Sequence, residues 1–209
     1  MKRFSKNDIE AFESRYRANF VNSLSGAKAL QLVGTKDSNG QENLSIINSA
    51  HHIGANPPLM GYIQRPHTVE KHTYENIKDT GFYTFSNVLV ADQEKAHQTS
   101  AKFDKSESEF NECGFEVSYT ENGTPYVQGA SLVIELRFVN EYEIKENETF
   151  HVIGEIQAVY LDPKFIFDDG TIDLVGLGSM AGVGLNGYVE LKGLSRYAYA
   201  KPHKKVEKL

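Results

Sequence analysis

Residues 48–61 read NSAHHIGANPPLMG. The apolar run Leu44-Ser45-Ile46-Ile47 enters a knot of small polar residues and two histidines, and a double proline then delivers the chain into a second apolar run, Leu59 to Ile63. Both runs have strand composition, so an interruption between two strands is expected here, with Asn48-Ser49-Ala50 as a turn. Those three small residues let a flat ligand lie against the backbone, whose amides, with the Asn and Ser side chains, can meet ring carbonyls and nitrogens edge-on. Pro57-Pro58 stiffens the return. His51 and His52 point to opposite faces of an extended chain, so at most one can face a given pocket.

Upstream, Ile9, Phe12, Tyr16, Phe20 and Leu24 recur at three- and four-residue spacing, with Asn7 or Asp8 as N-cap and Ser25-Gly26 as stop. This predicts an amphipathic helix within residues 1–25. The runs Ala29–Thr35 and Asn43–Ile47, joined through Asp37-Ser38-Asn39-Gly40, read as a hairpin. Downstream, strand Leu59–Gln64 leads through Arg65-Pro66-His67-Thr68 to a short helix around Val69–Lys78, which Gly81 ends, and Phe82–Val88 reads as a further strand. The polar segment Ala91–Glu112 reads as mostly helical, and strands return at Phe115–Tyr119, Tyr126–Asn140 and Thr149–Leu161. Six or more strands with helices confined to the ends and crossovers give a mainly β, α+β class: a β-barrel decorated with helices. The alternating units of a dinucleotide-binding fold are absent.

The chain has 209 residues, 40% of them hydrophobic and 24% charged, which fits one soluble globular domain spanning 1–209. A net charge of −6 offers no general attraction for nucleic acid or anionic lipid. The one basic cluster, in KPHKKVEKL, is expected to form a solvated tail at 203–209. No apolar run has the length of a membrane span and no signal peptide is recognisable; a single cysteine permits no intrachain disulfide, so a cytoplasmic location is expected.

Seven histidines raise the question of a metal, but none falls in a HExxH motif or a Cys/His spacing of metal-site type, so no resident metal is expected. Cys113 has no evident partner base and reads as an inert thiol. No GxSxG elbow marks a hydrolase. The glycine-rich run Val175–Gly184 lacks GxGxxG spacing and reads as a close-packed loop or intersubunit contact. Arg65-Pro66-His67-Thr68 and Lys71–Asn76 gather cationic and hydroxyl donors near the start of a short helix, which suits a phosphate.

Taken together, Asn48-Ser49-Ala50, Pro57-Pro58, Arg65-Pro66, His72-Thr73, Asn76-Ile77, Thr80-Gly81 and the strand Phe82–Asn87 resemble, in order and spacing, the flavin reductase-like family. This is the FMN-binding split barrel of the flavoredoxin and flavoprotein-oxygenase group. Ala96–Phe103, Ser108-Glu109-Phe110 and Phe150–Ile156 extend the resemblance, which covers roughly residues 30–202. One departure is Ser49–Gly54, which replaces the Ser/Thr-rich turn common in reductases that feed two-component monooxygenases, and it bears on the redox partner.

The resemblance implies noncovalent FMN in a homodimer whose two barrels share the flavin sites. By position, Asn48, Ser49, Ala50 and His51 would line the isoalloxazine; Arg65, His72, Thr73 and Asn76 would hold the ribityl phosphate, with Ser100 and Lys102 as further candidates there. It implies an FMN-dependent oxidoreductase of the NAD(P)H:flavin reductase type, passing hydride from nicotinamide to flavin N5 and electrons on to a small-molecule or protein acceptor. His51 is a candidate for stabilising charge on the reduced ring. The alternatives are an FMN-holding electron carrier that does not itself oxidise NAD(P)H, and a barrel without flavin.

Overall fold

A computed structural model of the chain describes residues 1–66 and 71–209. His67, Thr68 and the expected start of the helix at Val69 lie outside the described residues. The chain opens with α1 (Lys6–Glu10) and α2 (Ser14–Ser23), so the single amphipathic helix expected there is two. The break falls at Glu13, whose carboxylate accepts from the Arg15 and Tyr16 amides and so starts a second helix. Neither helix buries a residue.

The hairpin β1 (Lys28–Lys36) and β2 (Glu42–Ala55) follows, then β3 (Pro58–Gln64), α3 (His72–Thr80) and β4 (Phe82–Asn87). Gly81, at φ 79°, closes α3 in the left-handed conformation expected of it. The segment read as mostly helical holds only a 3₁₀ turn, α4 (Gln93–Gln98) and α5 (Glu109–Glu112), because Thr99–Ser108 runs as turns and extended chain. A small sheet of β5 (Val117–Tyr119) and β6 (Pro125–Val127) precedes the long hairpin β7 (Leu132–Ile144) and β8 (Thr149–Leu161). The single strand expected over Tyr126–Asn140 is thus divided at Gln128–Ser131, where Gly129 takes φ 84°. Finally β9 (Met180–Val183) and β10 (Gly187–Glu190) convert part of the glycine-rich run into strand.

Strands β1-β2-β3-β8-β7-β4 pair antiparallel in that order, and β4 pairs back onto β1 to close a six-stranded barrel. The free edge of β1 is divided: Gln31–Gly34 pair with β4, whereas Lys28 and Ala29 pair with β9. Successive residues of β1 serve two cores. Val33 points into the barrel with Tyr62, Tyr83, Phe85, Leu136 and Val152, and Leu32 points outward to Leu44, Val88, Ala96 and Phe110. This is the period-two alternation of a strand buried on both faces. Fully burying a side chain such as Leu or Phe contributes about 1.5–3 kcal/mol.

The stretch that opened the reading is not a turn. Strand β2 runs straight through Asn48, Ser49 and Ala50, and the chain reverses only at Asn56-Pro57. Ala29 and Gln31, two apart in β1, face Ala50 and Ile47, three apart in β2, so the Asn48-Ser49 region carries one extra residue as a β-bulge. Neighbouring strands on both sides supply the ladder that a turn would have broken. The expected solvated tail also has structure: Ala198 donates to the Glu207 carbonyl and Leu209 to that of Arg196, while Arg196 lies over Phe167 and pairs with Asp169.

Candidate functional site

A cavity of about 650 Å³ opens on the outside of the barrel, walled by β2 and β3, the start of α3, the 97–105 segment and the β9–β10 hairpin. Its volume lies in the range of small-molecule and cofactor sites. The bulge turns Asn48 and Ser49 into it. Asn48 Nδ2 donates to the Gly184 carbonyl at 2.8 Å, tying β2 to the loop after β9. Ser49 Oγ accepts from the Ile63 amide at 3.1 Å, ahead of the first paired residues of β2 and β3, and so continues the ladder with a side chain.

Deeper along β2, Asn43 Nδ2 donates to Thr73 Oγ1 at 2.7 Å and Thr73 donates to Ser45 Oγ at 2.8 Å. This chain of polar groups joins the strand to the first turn of α3. That turn is held over the barrel end by Glu141 of β7, which accepts from Tyr74 Oη at 2.7 Å and from Lys78 Nζ at 3.0 Å. Arg65, Lys71, His72, Lys102 and Lys105 bring cationic groups to the lining, beside the hydroxyls of Thr99 and Ser100.

The lining also holds one buried acid. Glu109, 6% exposed, accepts from the Leu44 amide at 2.9 Å, and burial holds its carboxyl above the ordinary range, with that hydrogen bond and nearby His72 pulling the other way. At the opposite wall His97 Nδ1 lies 2.9 Å from Tyr188 Oη, linking α4 to β10; burial raises the Tyr188 phenol. Burial lowers the Lys28 ammonium nearby, helped by the like charge of Arg65.

Of the residues singled out from the sequence, Asn48, Ser49, Arg65, His72, Thr73, Ser100 and Lys102 line this one cavity. Three others lie elsewhere. Ala50 faces the barrel core, Asn76 is buried with its amide donating to Thr35 Oγ1 at 3.2 Å, and His51 is turned to His151. Asn43 and Ser45 were not anticipated, although two polar residues at period two in an apolar strand are a readable signal. Gly182 and Tyr188 enter from the far end of the chain, and nothing local in the sequence connects them to Asn48.

A family model described as "Flavin reductase like domain" matches residues 26–172. A split-barrel protein from Shewanella frigidimarina, described as a flavin reductase, superposes with a TM-score of 0.91 at 45% identity, covering 96% of this chain and 100% of its own. Nitrilotriacetate monooxygenase component B from Bacillus cereus superposes at 0.80 with 18% identity, covering 93% of this chain and 97% of its own. Flavoredoxin of Desulfovibrio vulgaris does so at 0.70 with 24% identity, covering 85% and 92%. The last two show the shared fold alone. No curated protein sequence matches the chain. The family model spans most of the chain and the Shewanella protein nearly all of it, and the split barrel of the latter agrees with the closed barrel seen here: this protein belongs to the flavin reductase-like family of split-barrel flavoproteins.

Proposed function

We propose that the cavity holds noncovalent FMN and that the protein is an NAD(P)H-dependent flavin reductase. The observation that carries this reading is the division of one cavity into two chemistries. At the bulge, small residues and backbone suit the edge of a flat ring; elsewhere in the same lining Arg65, Lys71 and Lys102 bring cationic side chains beside His72, as a phosphate dianion requires. The residues present fit the cofactor. Bound there, FMN would supply the redox chemistry of a hydride acceptor and electron donor. The chain's own part is to bind and orient. Asn48 and Ser49 would lie at the ring edge and the first turn of α3 would stand at the phosphate with its helix dipole, while the Leu44 amide holds the Glu109 carboxylate at 2.9 Å.

Membership of a homodimer belongs to the same reading. It is supported by the N-terminal arm, where Phe4 ahead of α1, Phe12 between the helices, and Tyr16 and Phe20 of α2 pack on one another while the helices bury nothing. A cytoplasmic setting is supported by the lone unpaired Cys113.

The test is an absorption titration of the purified protein with FMN, followed by anaerobic NADH and then NADPH. Saturating flavin peaks that bleach with a nicotinamide are expected. Peaks that saturate and do not bleach would mark an FMN-holding electron carrier, and no saturation would overturn the flavin reading.

A further inference from the structure

We propose that His97 and Tyr188 latch the mouth of the cavity, and that opening of this latch sets the rate at which flavin enters and leaves; this rests on the FMN reading above. Strands β2 and β3, which form the inner walls, are paired along both edges and so held fixed. The other walls include the 97–105 segment and the β9–β10 hairpin, which stand outside the closed barrel. Strand β9 pairs with β1 at Lys28 and Ala29, and β10 pairs with β9 alone among the described residues. The hairpin thus hangs from a short ladder, with the bond from Asn48 to the Gly184 carbonyl holding its turn to β2.

A seam runs between these two walls. His97 Nδ1 lies 2.9 Å from Tyr188 Oη, and the rings meet edge to face with centroids 5.7 Å apart and planes at 82°. Both residues line the cavity, and His97 is exposed while Tyr188 is half-buried, so the pair stands where the cavity meets solvent. Among the described residues no other hydrogen bond or ion pair joins the 97–105 segment to the hairpin. The next join lies ahead of α4 and at the start of β9, where Met180 donates to the Val88 carbonyl and Leu89 bridges Ser179. The seam is therefore pivoted at one end and fastened at the other by a single bond.

The pair is not needed to keep α4 in place. Ala96 of that helix is fully buried in the outer core, Thr99 just after it is 2% exposed, and Lys95 Nζ donates to the Gly114 carbonyl at 2.8 Å. What the pair adds is closure of the seam. A fastening of this kind costs the same to open whether flavin lies inside or outside, so breaking it raises the entry and exit rates by one factor and leaves Kd unchanged. A side chain that bound the flavin directly would instead raise the exit rate and Kd together and leave the entry rate alone.

The experiment measures FMN association and dissociation by stopped-flow flavin fluorescence in the full-length protein. Tyr188→Phe, which keeps the ring and removes the hydroxyl, and His97→Ala should each raise both rates together by about two- to tenfold, the worth of one hydrogen bond, at unchanged Kd. The double variant should be no faster than either single one, and His97→Asn, whose amide can stand in for Nδ1, should restore the slow rates. Melting curves establish that each variant is folded. Amide hydrogen exchange along β9 and β10, read without flavin, should quicken in Tyr188→Phe and His97→Ala. If the unaltered protein binds no FMN while this exchange quickens, the latch stands and the FMN reading falls. Rates and exchange unchanged in both variants, or an exit rate that rises alone with Kd, would overturn the latch.

Discussion

Cys113 is 8% exposed at the end of α5, where burial, and then the carboxylates of Glu109 and Glu112, push its thiol from 9.0 up to about 11. The thiolate is the reactive form, so at pH 8 its population falls about a hundredfold below that of an ordinary cysteine. Iodoacetamide should therefore modify the folded protein at least a hundredfold more slowly than the urea-unfolded chain; comparable rates would mean that the segment opens readily. The sign for stability follows from the same numbers. Between pH 9 and 11 the unfolded thiol loses its proton before the folded one, so the contribution of Cys113 to stability declines as pH rises through that window. The absence of a partner base, read from the sequence, was enough to assign an inert thiol. Its burial beneath Phe110 and Phe115 depends on packing that no local pattern encodes.

At the scale of elements, period-two runs such as Thr149–Leu161 were legible because a half-buried strand leaves its alternation in the sequence. The Asn48-Ser49 bulge was not, since small polar residues mark a turn and a bulge alike, and only the register of β1 against β2 separates the two. For the same reason the place of Asn48 at a cavity could be read while the continuity of its strand could not. Strand packing supplies another constraint hidden from the sequence at Gly154 of β8. A Cβ there would stand 2.2 Å from Tyr83 Oη, and Tyr83 is fully buried between Tyr62 and Phe85. Gly154→Ala should cost about 1–3 kcal/mol or more through overpacking. The Tyr83 hydroxyl has no hydrogen-bond partner among the described residues. Tyr83→Phe should therefore be neutral or stabilising by about 1 kcal/mol and should recover part of the Gly154→Ala loss. Urea melts of the two single variants and the double variant check this, and strict additivity would show that the hydroxyl is not what Gly154 accommodates.

For the whole molecule, the question is what covers the N-terminal arm. The barrel has its own two cores, and α1 and α2 contribute to neither. The arm's rings Phe4, Phe12, Tyr16 and Phe20 touch one another, and Tyr16 stays 57% and Leu24, just past α2, 67% exposed. An isolated helix of ten residues is marginal in water, and the arm is docked only lightly, by Lys28 donating to the Asn22 carbonyl and by Ser23 lying close to Gly184. A second copy of the chain would supply the missing apolar surface, and the arm reaches Gly184, whose carbonyl holds Asn48 at the cavity. Dimerisation and ligand binding are then expected to be linked through that carbonyl. The protein should sediment at twice the chain mass, and replacing both Tyr16 and Leu24 by Ser should shift it toward monomer at micromolar concentration. The same variant should bind FMN more weakly, with the affinity recovering as protein concentration rises, because anything that favours the dimer then favours the site. A monomeric variant with unchanged FMN affinity would separate the arm from the cavity and leave its aromatic cluster as local packing alone.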